Sequence, residues 1–246
     1  MIPQDGETFL LEHPCGYFHD ARPCTSHYIA ATGPTSNRYA QYLAEGYRRV
    51  GSFFYRPQCP DCALCLPLRV PVKSFAPSRS QRRTLRVNTD VLVEVGDPRV
   101  TDEKLALYAR YQRLKHGRHV EPTEAALDSA LHTELCTIHY GYPLAMEMRF
   151  LVSGRLMGVS IVDAAEGALS SNYFYYETDL LPRRPGILSL LKELELARAL
   201  GLTYHYLGYW VSGCCAMQYK AQFRPADFLD RDGSWQPLAP GAGAEE

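Results

Sequence analysis

The sequence lacks an apolar run long enough to cross a bilayer, and it lacks an excess of either charge, because 27 Asp and Glu residues balance 26 Lys and Arg residues. The segment from Met1 to Glu12 contains acidic residues and no basic stretch before an apolar one, so it does not resemble a secretory signal. These absences predict a cytoplasmic protein with no membrane role. Nucleic-acid binding would have to come from local clusters of positive charge.

The sequence also lacks internal repeats and long low-complexity stretches. Its 246 residues are 46% hydrophobic, which is enough to bury the core of one large domain or of two small ones. The last residues, from Pro240 to Glu246, are Gly, Ala and Glu after the proline, and we expect them to fray.

In the first half, hydrophobic periodicity predicts helices that follow a loop-rich N-terminus. The predicted helices run over Thr35–Arg49, from Thr101 to Gly117, and from Thr123 onward. Short extended segments are predicted over Phe53–Tyr55, Leu66–Val72 and Thr89–Val95. Thr101 has the residue type of an N-cap, and Gly117 has that of a helix end.

The second half follows a β-β-β-α-β pattern. The predicted elements are strands over Leu144–Val152, Leu156–Val162 and Leu169–Tyr176, a helix over Gly186–Leu200 and a strand over Tyr204–Trp210. Ser153-Gly154 is a dipeptide typical of hairpin turns. The last strand returns after a helical crossover, which predicts a parallel neighbour. The sequence therefore predicts an α+β fold with a mixed sheet flanked by helices.

Three of the eight cysteines, Cys59, Cys62 and Cys65, follow one another at C-x-x-C spacing. Two sulfurs at this spacing can converge across a tight turn, and thiolates suit zinc or iron–sulfur iron. In a reducing compartment, ligation is a better use of such cysteines than disulfide bonding. The spacing predicts a metal site. The alternative is that the three are small core residues in a proline-rich turn.

Four thiolates complete a tetrahedral site, so a fourth ligand is needed. Cys15, in H-P-C-G-Y, is the predicted one, and Cys24 and His13 are the alternatives.

Positive charge clusters between Arg69 and Arg86, where six basic residues occur without an Asp or Glu. The centre of this segment, S-R-S-Q-R-R, offers guanidinium groups and hydroxyls that bind phosphate well. The predicted phosphate contacts are Arg79, Ser80, Gln81, Arg82 and Arg83. The alternative is a solvated basic face without a partner.

A third motif surrounds the last predicted strand. Y-L-G-Y-W (Tyr206–Trp210) has a central glycine, which allows a backbone or a ligand to approach closely. C-C-A-M-Q-Y-K-A-Q-F-R-P (Cys214–Pro225) adds aromatic and basic side chains of the kind that stack on bases and neutralise phosphates. The alternative is an aromatic core strand followed by an amphipathic turn.

Together these stretches, with Y-R-P-Q-C-P-D-C-A-L-C-L-P-L-R-V at the cysteines, resemble the bacterial branch of the arginyl-tRNA–protein transferases, described as aspartate/glutamate leucyltransferases. The resemblance extends from about Pro14 to Phe228, with the motifs in order. It implies transfer of leucine, or arginine, from aminoacyl-tRNA to proteins that begin with Asp or Glu. That transfer marks the acceptor proteins for degradation by the N-degron pathway.

The resemblance also implies a division of the chain. A Cys-rich, basic tRNA-transferase region is expected over residues 1–88, a GNAT (acetyltransferase)-like domain over 89–236 and a flexible tail over 237–246. Cys15, Cys59, Cys62 and Cys65 match cysteines that eukaryotic relatives associate with a metal or an iron–sulfur cluster. Phe18 departs from that pattern, because eukaryotic members have a second cysteine there.

The implied chemistry needs no cofactor, because the aminoacyl ester on tRNA is already activated. The acceptor's α-amine attacks the ester carbonyl, and the enzyme positions the substrates and stabilises the oxyanion. The candidate catalytic groups are Tyr209, Tyr219 and Lys220, beside backbone donors near Gly208. The candidates for binding the acceptor's acidic side chain are Arg149, Arg224 and His205.

Two other functions compete with this interpretation. The segment Arg183–Leu188 partly resembles the pyrophosphate loop of acetyl-CoA-dependent N-acetyltransferases, and it could instead serve phosphates of the tRNA end. The second alternative is a non-enzymatic, zinc-stabilised RNA-binding module.

Overall fold

A computed structural model of the protein describes residues 6–18, 20, 22–31, 33–118 and 124–239. The strands are β1 (Thr8–Pro14), β2 (Pro23–Ala30), β3 (Arg48–Val50), β4 (Phe53–Pro57), β5 (Cys65–Pro71), β6 (Val91–Gly96), β7 (Ala145–Val152), β8 (Arg155–Ala165), β9 (Ala168–Tyr176), β10 (Tyr204–Val211), β11 (Asp227–Leu229) and β12 (Trp235–Pro237). The α-helices are α1 (Ser36–Ala44), α2 (Arg79–Val87), α3 (Asp102–His116), α4 (Glu124–Glu134), α5 (Pro185–Ala199) and α6 (Cys215–Gln218).

Three further helical segments have other geometries. They are a π-helix over Leu135–Tyr140 and 3₁₀ helices over Thr178–Arg183 and Tyr219–Gln222. The predicted helix start at Thr123 and the predicted tail beyond residue 239 lie outside the described residues. None of the helices within the described ranges is long and apolar enough to cross a membrane.

The chain forms two compact units, each assembled from separate parts of the sequence. The first unit comprises residues 1–76, 165–170 and 197–246, and the second comprises residues 77–164 and 171–196. The motifs predict three consecutive regions instead, over residues 1–88, 89–236 and 237–246. That division stays a prediction.

The larger sheet is mixed: among the described residues its strands in the first unit follow the order β12-β11-β5-β10 with the start of β9 next to β10, and those in the second unit follow the order β8-β7-β6. In the first unit, Tyr204–Tyr206 of β10 pair in parallel with Ala168–Ser170 of β9, and β10 pairs with β5 in the antiparallel sense. The predicted parallel neighbour and the predicted α+β fold are therefore confirmed. The first unit also contains an antiparallel sheet in the order β1-β2-β4-β3.

In the second unit, β6, β7 and β8 form an antiparallel ladder. Ser153 and Gly154 have φ values of 50° and 79°, the positive values that a tight hairpin turn requires, and they join β7 to β8 as predicted. The capping prediction for α3 is also confirmed. The Thr101 side chain accepts a hydrogen bond from the Lys104 amide at 3.4 Å, and Gly117 ends the helix at φ 61°.

The predicted helix over Thr35–Arg49 is too long. It ends at Ala44 because Gly46 adopts φ +86°, a left-handed conformation that stops a helix, and Arg48 then starts β3. The predicted loop-rich N-terminus is wrong as well, because β1 and β2 pair over their full length. Most side chains of β1 are exposed, so the strand leaves no alternating pattern in the sequence.

Candidate functional site

The glycine of Y-L-G-Y-W lies at an irregularity of β10 in the first unit. The pairing of β10 with β5 shifts register between Tyr206 and Gly208, and Gly208 has φ +85°. A Cβ atom at Gly208 would lie 3.2 Å from Lys220 Nζ and 3.5 Å from the Arg48 guanidinium nitrogens. Two cationic side chains therefore occupy the space that any other residue would fill. This close approach, together with the positive φ, explains the glycine.

Arg48 and Lys220 are both anchored beside this glycine. Arg48 is 7% exposed, and its Nη1 donates to Ser170 Oγ at 3.0 Å. Lys220 Nζ donates to the Tyr209 carbonyl at 3.2 Å. Burial raises the pKa values of the nearby Tyr55 and Tyr209, and the positive charge of Arg48 partly opposes that rise, so its charge acts on this part of the unit. The arrangement suits binding of a negatively charged group.

Tyr209 is buried in the first unit. It is 3% exposed, and its hydroxyl donates to the carbonyls of Gly46 at 2.9 Å and of Tyr55 at 3.1 Å. Burial raises the pKa of Tyr209 well above its usual value, so the phenol stays neutral. Tyr219 starts the 3₁₀ helix that carries Lys220. The catalytic assignments of Tyr209, Tyr219 and Lys220 stay a prediction.

The predicted tRNA-binding segment forms α2 in the second unit. Arg79, Arg82 and Arg83 are exposed, as is Ser80. Gln81 is 1% exposed and forms a capping box, in which its Oε1 accepts from the Ser78 amide at 2.8 Å and its own amide donates to Ser78 Oγ at 3.2 Å. Gln81 thus fixes the start of the helix, while the neighbouring arginines face solvent.

The predicted cysteine ligands gather in the first unit. Burial raises the pKa of the Cys65 thiol to about 12. Four other cysteines are close enough to contribute to that rise: Cys15, Cys62, Cys24 and Cys59. The alternative ligand Cys24 lies beside the C-x-x-C-x-x-C segment, with its sulfur 3.4 Å from that of Cys59.

The other alternative ligand, His13, has both ring nitrogens engaged, with Pro14 O at 2.9 Å and Ser26 Oγ at 3.0 Å. The donor set of five thiols suits zinc or iron–sulfur iron chemically. The positions of these thiols fit a metal ion less well. In the described part of the chain, no three or more His, Cys, Asp or Glu side chains are arranged to hold a metal ion. The metal site therefore stays a prediction, and no catalytic step is assigned to it.

The three candidates for binding the acceptor's acidic side chain all lie among the described residues. Arg149, in the second unit, forms an ion pair with Glu94. His205 is completely buried in the first unit, and Arg224, in the same unit, donates to the Leu238 carbonyl at 2.5 Å. Arg48 was missed by sequence reasoning. The signal was the pair Arg48-Arg49, two arginines a few residues before the aromatic segment Phe53–Tyr55, and both are buried.

A partly buried polar network lies beside the π-helix of the second unit. Glu134 accepts hydrogen bonds from the Tyr108 hydroxyl and from Arg118 Nη1, the latter at 2.7 Å. His139, within the π-helix, stacks on Tyr173 with 4.2 Å between ring centroids. Burial would raise the pKa of Glu134, but the hydrogen bonds from Tyr108 and Arg118 and the Arg118 charge lower it below its usual value.

This network predicts a loss of stability in acid. Because the folded state lowers the pKa of Glu134, the ionised carboxylate stabilises the protein above the unfolded pKa, and that gain is lost as the pH falls through the folded pKa. We expect the free energy of unfolding to fall between about pH 5 and pH 3, and to fall less in Glu134→Gln. Urea unfolding of both proteins across this range measures the difference. Identical pH profiles would contradict the prediction.

Family comparisons agree with the motifs. The family model described as "Arginine-tRNA-protein transferase, N terminus" matches residues 13–83, and the one described as "Arginine-tRNA-protein transferase, C terminus" matches residues 103–230. An aspartate/glutamate leucyltransferase of Halorhodospira halophila is 37% identical over 224 residues, which cover 90% of this chain and 92% of the relative. One of Teredinibacter turnerae is 34% identical over 217 residues, 88% of each chain.

Among solved structures, L-PGS from Bacillus licheniformis is similar with a TM-score of 0.42 and 14% identity, over 76% of this chain and 57% of that one. That likeness is too loose to support a functional conclusion. The family matches, in contrast, extend over most of the chain and define an aminoacyltransferase that takes its donor from tRNA. The chain belongs to the arginine-tRNA-protein transferase family. The predicted resemblance is therefore confirmed.

Proposed function

We propose that this protein transfers leucine from leucyl-tRNA to the N-terminal Asp or Glu of acceptor proteins. The observation that carries the proposal is the similarity to aspartate/glutamate leucyltransferases over about nine-tenths of both chains. The acceptors are then marked for degradation by the N-degron pathway.

The reaction is an aminolysis of an ester. The neutral α-amine of the acceptor attacks the carbonyl carbon that links leucine to the ribose of tRNA, and a new C–N bond forms. The tetrahedral intermediate then expels the ribose oxygen, which takes up the proton that the amine loses. Because an α-amine has a pKa of about 8, a useful fraction is neutral near pH 7, and strong base catalysis is not required.

The cationic groups beside Gly208 support this chemistry in the first unit. Lys220 and Arg48 are the predicted source of positive charge for the oxyanion or for the acceptor's carboxylate, because both side chains reach the same glycine. The Tyr209 hydroxyl is engaged with two backbone carbonyls and holds β10 in place. In the second unit, the exposed arginines of α2 suit the phosphates of the tRNA.

A transfer assay tests the proposal. The protein is incubated with tRNA charged with radiolabelled leucine or arginine, and with peptides that differ only in an N-terminal Asp, Glu or Ala. We expect label from leucyl-tRNA on the Asp and Glu peptides, at a rate about 100-fold or more above that on the Ala peptide, because a site built for a carboxylate rejects its absence. Label is quantified on the purified peptides.

Two separate measurements, of acetyl-CoA turnover and of RNA binding, together with the transfer assay give the results that would contradict the proposal. Turnover of acetyl-CoA without tRNA would indicate an N-acetyltransferase. RNA binding without either activity would indicate a binding module. A faster reaction with arginyl-tRNA would change the donor and leave the reaction class unchanged.

A further inference from the structure

The second unit contains a cavity that brings together residues of two segments, Arg79–Arg83 and Arg183–Leu188, which the sequence analysis considered separately. It has a volume of about 440 Å³ and lies between α2 and the segment that leads into α5. Its lining is basic and hydroxylic, with one valine and one proline: Ser80, Arg83, Thr84, Val87, Pro182, Arg183 and Arg184. We call it the Arg184 pocket. A cavity of this size admits a phosphate group with part of its sugar.

Arg184 is held in the pocket by two hydroxyl groups of α2. It follows the 3₁₀ helix over Thr178–Arg183 and has φ 57°, a left-handed conformation that residues other than glycine rarely adopt. Its Nη1 donates to Ser80 Oγ at 2.7 Å and to Thr84 Oγ1 at 3.2 Å. The other N–H groups of this guanidinium have no partner among the described residues. They are the donors that a phosphate can accept from in a bidentate manner.

The charges around Arg184 leave the pocket positive. Arg183 is balanced by Asp90, to which it donates two hydrogen bonds at 2.7 and 2.9 Å. Arg83 is exposed and forms no ion pair with any described residue. The 15-residue helix α5 begins next to the pocket and has no acidic residue in its first turn, so the positive end of its dipole is not neutralised.

The basic surface continues from the pocket along α2. Arg79, Arg83 and Arg86 are exposed and occupy positions i, i+4 and i+7, which places them on one face of the helix. A single phosphate would need only the pocket. A row of cations that leads into a pocket fits a chain of phosphates, which is the chemistry of a nucleic-acid backbone.

We propose that the Arg184 pocket binds a backbone phosphate of the aminoacyl-tRNA, with Arg184 as the principal ligand and Ser80 and Arg83 beside it. This inference rests on the proposed function for the identity of the RNA. It adds Arg184 to the predicted tRNA-binding residues. The phosphates that bind along the basic face of α2 would then end at this pocket.

Arg184→Gly tests the pocket without destabilising the folded protein. Glycine adopts φ 57° without strain, so the variant removes the guanidinium and we expect an unchanged or higher thermal unfolding midpoint. The measurement is the Kd of leucyl-tRNA at several salt concentrations. We expect binding about 10-fold weaker at low salt, and a slope of log K against log salt that is reduced by about one. Ser80→Glu should weaken binding at least as much, because it adds a negative charge beside the phosphate.

Arg155→Gln is the matched control, because it removes an exposed arginine of the same unit outside the pocket. We expect its Kd to change by less than about twofold. Arg184→Lys keeps the charge and loses the planar fork, so its Kd should fall between those of the wild type and Arg184→Gly. A Kd and a salt slope for Arg184→Gly equal to those of Arg155→Gln would overturn the proposal.

Two further results separate the pocket from the proposed reaction. Wild-type protein that binds leucyl-tRNA through Arg184 but transfers no leucine would contradict the proposed function and support the pocket. Coenzyme A that displaces tRNA from the wild type, but not from Arg184→Gly, would overturn the RNA assignment, because the pocket would then serve a small phosphate-bearing molecule.

Discussion

Lys104→Met should lower the free energy of unfolding by about 3–5 kcal/mol, since it leaves a buried carboxylate without its partner. Lys104 and Glu147 form an ion pair at 2.5 Å with side chains only 4% and 6% exposed. Lys104 also donates to the Arg99 carbonyl at 2.7 Å. Arg149 Nε lies 3.9 Å from the same Glu147, so the lower end of the range is expected. Urea unfolding followed by circular dichroism measures the change.

The double variant Lys104→Met/Glu147→Leu should recover most of this loss, because it removes both charges and fills the space with apolar atoms. Lys192→Met is the matched control, since Lys192 pairs with Glu195 at 2.8 Å on the surface of the same unit. We expect a change of about 0.5 kcal/mol or less there. A loss in Lys192→Met as large as that in Lys104→Met would disprove the argument from burial.

Gly208→Ala should reduce leucine transfer by about 10-fold, because Lys220 Nζ has to shift by a few tenths of an ångström, and a full displacement of about 1 Å costs about 100-fold. The new methyl group would lie 3.2 Å from Lys220 Nζ, so the lysine has to move away from β10. The left-handed backbone adds about 1–2 kcal/mol of strain for a residue with a Cβ atom. Values of kcat/KM for transfer to an Asp peptide and the unfolding free energy should both be measured.

Gly201→Ala separates the two effects of that substitution. Gly201 is in the same unit and has φ +70°, but a Cβ atom there meets no other atom within 4 Å. We expect about 1 kcal/mol of destabilisation from the backbone and little change in transfer. If Gly208→Ala and Gly201→Ala retained the same activity, the cations beside Gly208 would have no role in the reaction.

The sequence by itself determined the features that depend on neighbouring residues. Thr101 and Gly117 define the ends of α3, the turn Ser153-Gly154 joins β7 to β8, and the helix before β10 forces a crossover to a parallel strand. Each of these signals is local, because a cap, a positive φ or a hydrophobic period acts within a few residues. The family motifs are equally readable, since they are short and occur in order.

Only the tertiary structure decided which distant residues meet. Arg48 comes from a three-residue strand and reaches Gly208 and Lys220 late in the chain. Arg184 donates hydrogen bonds to Ser80 and Thr84, which lie about a hundred residues earlier in the chain. These two residues belong to α2, which the sequence indicated only as a basic segment. The hydrophobic period shows which face of an element is buried, but it does not specify the partner element. That choice depends on strand pairing and packing across the whole chain, which no local pattern records.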